Sequence, residues 1–569
     1  MAAKQSIRRS MVWSAYGDAL GFITEMRSTN ISNEGILRRR TGSEARVTHL
    51  VPWVRRVGGE FGVDVRLMAG CYSDDTQLRL STCRSIRGDG VFDVETFSKI
   101  EIPVWASYAL GAGRGTKTAA ESLRRGDTQW NSNFFRSKYA YYLDNGGNGA
   151  AMRIQPHVWC APEQKPNSLI IRDVVRNTIT THGHIRAIIG AAFHALCLQH
   201  ALLKTSVPGP TEWFLLLEQL SLIPKVIRSD EELLLHWLPN WEEETKQSIE
   251  EATNRSLEEL RQDMMVAQKN LDNLRAFGDT GKGYPQLVQQ IKCLEKDSVG
   301  SAVKTALLAA HLSYAFSDQP YEALVEAVNI LGSDTDTIST MAGAILGAVA
   351  KADPPEAVAD AEYLEKEAER LYELSQGHAT TSYDYPDLLY WQPPKSQLDA
   401  LGYHEGKWFV QGLGEANPVG DPIERGGEYP VVWQWFKLKF GQSVLLKRRK
   451  VVKSIPKSSV PVKPETADVR SRQRERAAPI AKPAWDKSLP AQPKLCDVDR
   501  HIIHREKHEI TIDMAIEQCT RSGWKADLVG TMLLKLAEQE DGVEKAIAFA
   551  AIVANSRRAR MKKDSAPNP

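Results

Sequence analysis

The sequence predicts an all-α protein with a small β-rich appendage and a C-terminal helical domain. Three observations predict it: Ala-rich amphipathic runs at helical spacing through residues 1–380, a shift near 382 to aromatic and β-branched residues among Gly and Pro, and renewed helical patterning after about 496. Apolar residues make up 42% and charged residues 25% of the 569 positions, ordinary usage for a globular chain and unlike a fibrous or wholly disordered one. With 72 Lys and Arg against 71 Asp and Glu, the net charge of +1 gives no global field toward nucleic acid or membrane. The seven cysteines, at 71, 83, 160, 197, 293, 496 and 519, show no CxxC spacing, which points to reduced thiols and away from a disulfide framework or zinc ribbon. No apolar run of signal-peptide length follows the first basic residues, and no stretch of about 18 apolar residues occurs. A soluble cytoplasmic protein is expected.

Within 1–380, a helix over 11–20 ends at Gly21 and leaves Glu25 in a loop. A run at 116–124 opens on the glycine-rich turn Gly111-Ala112-Gly113-Arg114-Gly115-Thr116. Runs at 183–203, 298–316, 321–331 and 335–350 read as central helices of a bundle, with Gly343 and Gly347 allowing close approach of neighbours. The charged stretch 229–297 has helical periodicity and many i,i+4 pairs, and reads as an exposed helical insertion. Over 381–450, short runs at 407–411, 430–438 and 443–446 suggest strands joined by turns. Residues 447–482 carry twelve Lys or Arg against three acids, a local net of +9, and 451–495 reads as a basic, Pro-containing linker. Residues 496–569 would form a small three-helix domain of unknown role, near the lower size limit for independent folding.

Two acidic clusters sit between apolar runs, where unpaired carboxylates are costly: Ser73-Asp74-Asp75-Thr76 and Ser333-Asp334-Thr335-Asp336-Thr337. Each precedes an amphipathic run and so falls at a helix N-terminus. Capping explains one acid on each helix. It does not explain two, with hydroxyls, on helices about 260 residues apart; four carboxylates brought together demand a cation, and hard oxygen donors suit Mg²⁺ or Mn²⁺. Spacing alone leaves capping and metal binding both open. Glu25, taken alone, reads as a surface glutamate. His501, His504 and His508, with Cys496 nearby, read as a solvated basic helix rather than a zinc site, because ligand spacing and a second cysteine are lacking.

The motifs GDALGFITE, YSDDTQLRL, NGGNGAAMRIQP, TTHGH and NILGSDTDTISTMAGAILG, in this order over residues 8–350, resemble the ADP-ribosylglycohydrolases, the family of dinitrogenase reductase-activating glycohydrolase and the ADP-ribosylhydrolases. The resemblance implies an all-α fold with a centre of two Mg²⁺, Mn²⁺ being possible, ligated by Ser73, Asp74, Asp75, Asp334, Asp336 and Thr337. It matches Glu25 to a mobile glutamate of the cleft, places Asn148, Gly149 and Arg153 beside ribose and phosphate, and matches His182 to a histidine near the phosphates or distal ribose. Gly113 and Gly115 belong to a turn whose amides would approach a pyrophosphate. For Arg153 a structural ion pair is the competing reading, and His184 reads as structural. Ser73 stands where the family usually has Thr, and Ser333 where it often has Gly; neither change removes a ligand.

These expectations define a hydrolase that removes ADP-ribose from a modified protein or related conjugate, with Glu25 as general base or gate and Asp75 or Asp336 as alternatives. Two other readings are an immunity or binding module that blocks an ADP-ribosyltransferase, with residues 450–569 as a protein-binding arm, and reversal of nucleic-acid ADP-ribosylation steered by the +9 segment. No membrane partner is expected. The linkage cleaved would be set by rim residues in 27–70, 125–145 and 376–395.

Overall fold

The computed structural model describes residues 3–25, 32–42, 46–59, 62–277, 280–425, 430–463, 511–521, 526–537, 539, 542–543, 545–550 and 552–553. The chain divides into two compact units, Met1–Ala477 and Ala478–Pro569. Most of the basic linker, with Cys496, His501, His504 and His508, lies outside the described residues. The six described cysteines are buried.

The first unit is built on helix α1, Lys4–Thr24, packed along helix Thr335–Val349. Glycines on both helices make that packing intimate. A Cβ on Gly17 would lie 2.3 Å from Ser339 O, one on Gly21 2.5 Å from Asp336 Cα, one on Gly343 2.4 Å from Trp13 O and one on Gly347 2.5 Å from Arg9 O. At such contact the backbones exchange side-chain hydrogen bonds: Ser14 Oγ donates to Thr340 O at 2.8 Å, and Thr340 Oγ1 to Ser14 O at 2.9 Å. Gly21 therefore does not end α1 as the sequence suggested. The helix runs on to Thr24, because this glycine serves interhelical contact rather than termination.

Around the pair stand helices Ile185–Lys204, Ala302–Ala315 and Pro320–Val328. Ile185–Lys204 is long and apolar enough to cross a membrane by length and composition, and 83% of its apolar window is buried inside the unit. The insertion is helical over Ile249–Phe277, but one stripe of it, Leu260, Met264, Ala267 and Leu271, is buried against the bundle. Spacing of three and four residues puts these on one face, so the long charged helix is amphipathic rather than fully exposed.

Helix α2 spans Asn33–Thr41. An antiparallel hairpin not expected from sequence follows, β1 Trp53–Val57 and β2 Val63–Leu67. Its signal was present in the alternation Val63-Asp64-Val65-Arg66-Leu67. Helix α3, Asp74–Ser85, comes next. The appendage is a five-stranded antiparallel sheet in sequential order, β3 Leu401–His404, β4 Lys407–Val410, β5 Gly414–Arg425, β6 Val431–Leu438 and β7 Ser443–Arg449. Three of these strands match the expected runs. The long β5 was not legible, because Pro418, Gly420 and Pro422 interrupt it and its register shifts between Val419 and Ile423.

The sheet does not stand apart from the bundle. The fully buried guanidinium of Arg84, on α3, pairs with Glu101 at 2.7 Å and donates to Gln442 Oε1 at 2.7 Å, just before β7. Tyr385 OH donates to Glu101 Oε1, and Ser443 donates through N and Oγ to the Asp360 carboxylate, all at 2.7 Å. The second unit contains helices Ile512–Arg521 and Ala526–Ala537 and further helical residues at 545–550, around a small core of Ala515, Cys519, Met532, Leu536 and Phe549.

Candidate active site

Three chain segments meet at one pocket: the C-terminal turn of α1, the N-terminus of α3 and the N-terminus of helix Thr335–Val349. The decisive residue at the base is Asp18, which the sequence reading did not single out. Its buried carboxylate accepts from Ser73 N at 3.0 Å and Thr76 N at 2.8 Å, so Asp18 caps α3 from another helix. Ser73 Oγ accepts from Asp75 N at 3.2 Å. With both capping tasks filled, capping of α3 does not account for Asp74 and Asp75.

Beneath them Arg79, fully buried, donates to Thr76 Oγ1 at 2.6 Å and Thr340 Oγ1 at 3.0 Å, and its charge faces Asp18 and Asp75. Burial is the first cause that holds Asp74, Asp75 and Asp336 well above the usual carboxylate range. Mutual repulsion comes next: Glu25 acts on Asp74 and Asp336, Asp18 on Asp75, and Asp334 on all three. The acids expected to meet from distant sequence are thus electrostatic neighbours.

Hydrogen bonds knit the two helix starts together. Thr337 Oγ1 donates to Asp75 Oδ1 at 3.4 Å, and Thr337 N to Asp336 Oδ1 at 2.9 Å. Asp75 Oδ2 is buried with no hydrogen-bond partner among the described residues. Among the described residues no three His, Cys, Asp or Glu side chains form a group that could hold a metal ion as they stand. The donor chemistry nonetheless fits a hard divalent cation: all donors are oxygens, one buried carboxylate oxygen lacks a partner, and several acids share a low-dielectric pocket.

The remaining site candidates fall into two groups. Asn148 Nδ2 donates to Asp334 Oδ2 at 3.2 Å and Thr305 Oγ1 at 3.1 Å, so it orients an acid of the pocket. A Cβ on Gly149 would sit 2.9 Å from Thr116 Oγ1 and 3.2 Å from His182 Nε2, which brings these three residues to one point. His182 shares a 2.7 Å hydrogen bond with Thr181 Oγ1 through Nδ1, and burial lowers its pKa to about 3, so the ring is neutral. Arg153 is enclosed and forms no ion pair among the described residues. It donates to Asn177 Oδ1 at 2.8 Å, to Asn177 O and Thr181 Oγ1 at 2.9 Å each and to Gly149 O at 3.2 Å, and burial lowers its pKa to about 9. Its guanidinium is committed to supporting the loop that carries Gly149.

In the glycine-rich turn, Gly113 precedes helix Arg114–Leu123 and borders open space. Gly115 instead packs on Asn145, where a Cβ would fall 2.4 Å from Nδ2. The glycine nearest the acids is Gly111, with φ +100°; a Cβ there would lie 2.8 Å from Asp74 Oδ1 and 3.7 Å from Glu25 Oε2. Its sequence signal was its place in the same turn. His184 N-caps the helix Ile185–Lys204, consistent with a structural reading.

The sequence profile of the ADP-ribosylglycohydrolases matches residues 1–381. The chain belongs to the ADP-ribosylglycohydrolase family. The matched span holds α1, α3 and helix Thr335–Val349, hence every residue of the pocket. A solved structure described as an ADP-ribosylglycohydrolase-related protein complex is 22% identical, with 65% of this chain and 98% of that chain covered and a TM-score of 0.39. No curated protein matches the chain. Membership of this family makes the protein a glycohydrolase in general terms, acting on ADP-ribose conjugates.

Proposed function

We propose that the protein hydrolyses an N- or O-glycosidic ADP-ribosyl bond in a modified protein or related conjugate, with two divalent cations, Mg²⁺ or Mn²⁺, in the acidic pocket. The observation that carries this reading is the meeting of Asp74 and Asp75 with Asp336 and Asp334 after α3 has already been capped by Asp18 and Ser73. Ser73, Asp74, Asp75, Asp334, Asp336 and Thr337 would hold the cations. Bound there, they would supply Lewis acidity and make a nearby water more acidic.

The chain's own residues do the rest. Glu25, at the end of α1, accepts a proton from the attacking water or gates the pocket, and Asp75 or Asp336 are the alternative bases. Asn148 keeps Asp334 turned to the pocket. Arg153 and the neutral His182 hold the Gly149 loop for close approach of the nucleotide. The turn at Gly111 and Gly113 brings backbone beside Asp74 without side-chain bulk.

The test is a panel of ADP-ribosylated arginine, ADP-ribosylated serine, ADP-ribosylated DNA and acetyl-ADP-ribose, incubated with the purified chain and Mg²⁺ or Mn²⁺ and scored for free ADP-ribose. Release is expected from at least one member, abolished by EDTA and reduced by about a hundredfold or more in Asp74→Ala and Asp336→Ala variants that still fold. Full activity in both variants rejects the reading.

A further inference from the structure

The hairpin β1–β2 plays no part in the chemistry above, yet it delivers a cation to Glu25. Arg55 lies on β1 opposite Val65 of β2, and its Nη1 stands 3.5 Å from Glu25 Oε2, the two side chains being 19% and 28% exposed. The guanidinium is placed by stacking: its Cζ lies 4.3 Å from the Phe22 ring centroid and 5.8 Å from that of Trp53. Those two rings meet edge to face at 5.1 Å, and both are buried. An arginine on an aromatic platform loses little freedom when it also meets a carboxylate.

A second arginine secures the backbone at the same point. Arg40 Nη1 donates to the carbonyls of Ile23 and Glu25, each at 2.9 Å, while its Cζ lies 4.7 Å from the Trp53 centroid. The end of α1 is thereby fixed by Arg40, and the Glu25 carboxylate meets Arg55. That carboxylate borders the acids, because Glu25 Oε2 and Asp74 Oδ1 both approach the bare face of Gly111.

We propose that Arg55 is a positioning residue that holds the Glu25 carboxylate at the margin of the acidic pocket and restrains it from turning in beside Asp74 and Asp336. A partly exposed ion pair is weak by itself, which suits a restraint that sets a resting position and still releases. The inference rests on the reading of Glu25 as base or gate.

The test is a double-mutant cycle in the full chain, with Arg55→Gln, Glu25→Gln and the double variant. The first readout is magnesium affinity by titration calorimetry without substrate. Arg55→Gln is expected to tighten magnesium binding about threefold when residue 25 is Glu, and clearly less when it is Gln. The second is kinetic: kcat for ADP-ribose release falls about tenfold or more with little change in KM, and Arg55→Lys restores most of it. Equal magnesium shifts in both backgrounds, or wild-type kcat in Arg55→Gln, overturn the proposal. A chain that shows the magnesium coupling but releases no ADP-ribose sinks the hydrolase reading and keeps the role of Arg55. An active chain with additive variants does the reverse. Absence of magnesium binding in the wild-type chain overturns the role of Arg55 as stated, while ADP-ribose release still decides the hydrolase reading.

Discussion

At the scale of single residues, the pocket turns on a carboxylate outside the proposed ligand set. Asp18 accepts two backbone N–H groups from α3, both buried, and a buried donor left without its acceptor costs about 1–3 kcal/mol. Asp18→Asn keeps the shape but presents an amide NH₂ to one of those donors. The variant is expected to lose about 1–3 kcal/mol of stability. It is also expected to lose activity, since Asp74 and Asp75 ride on the helix start that Asp18 holds. Thermal unfolding alongside the ADP-ribose assay measures both, and an unchanged melting midpoint would contradict the capping role. Asp18 lay in plain view in the motif Gly17-Asp18-Ala19-Leu20-Gly21. Its role was not legible, because its partners are 55 and 58 residues away and are main-chain groups that carry no sequence signal.

At the scale of elements, the helix pair Lys4–Thr24 and Thr335–Val349 sets the geometry of the acids. Gly21 is the contact nearest the chemistry, with a Cβ position 2.5 Å from Asp336 Cα and 2.6 Å from Thr335 O. Both obstacles are backbone, so neither yields by a rotamer change. Gly21→Ala should therefore force the helices apart and cost about 1–3 kcal/mol, with Asp336 displaced from Asp75. Chemical denaturation checks the first effect, and a loss of kcat larger than that of Gly343→Ala, which lies two turns farther from the acids, checks the second. The glycines at 343 and 347 were legible as approach points from their spacing on an apolar helix. Gly21 was not, because a glycine at the end of an amphipathic run signals a helix stop and a close crossing equally well. Tertiary contact decided between them.

At the scale of the whole molecule, buried contacts cross the change of composition near residue 380. The buried Arg84–Glu101 pair reaches Gln442 and Tyr385 across it. Truncation after residue 380 should strip the Gln442 acceptor from the buried Arg84 guanidinium and the Tyr385 donor from Glu101, and leave an insoluble or strongly destabilised product, since each buried polar group left without its partner costs about 1–3 kcal/mol. Truncation after residue 477 removes only the second compact unit, and the remaining chain should retain its unfolding midpoint and its activity. Differential scanning calorimetry of the two truncated chains separates the outcomes; equal stability of both would show that the contacts across residue 380 contribute nothing.

What the sequence by itself determined was the helical or strand class of the main regions and the two embedded acidic clusters. Helical periodicity, the change to strand-like aromatic runs and the embedded Ser73–Thr76 and Ser333–Thr337 clusters are local signals, written in neighbouring residues. What only the tertiary structure decided was which groups answer one another: Asp18 with the start of α3, Gly21 with Asp336, Arg84 with Gln442, and Arg55 with Glu25. Each of these is a contact between segments far apart in the chain, fixed by how helices and strands pack, and packing energy is a property of paired surfaces that no single stretch of sequence contains.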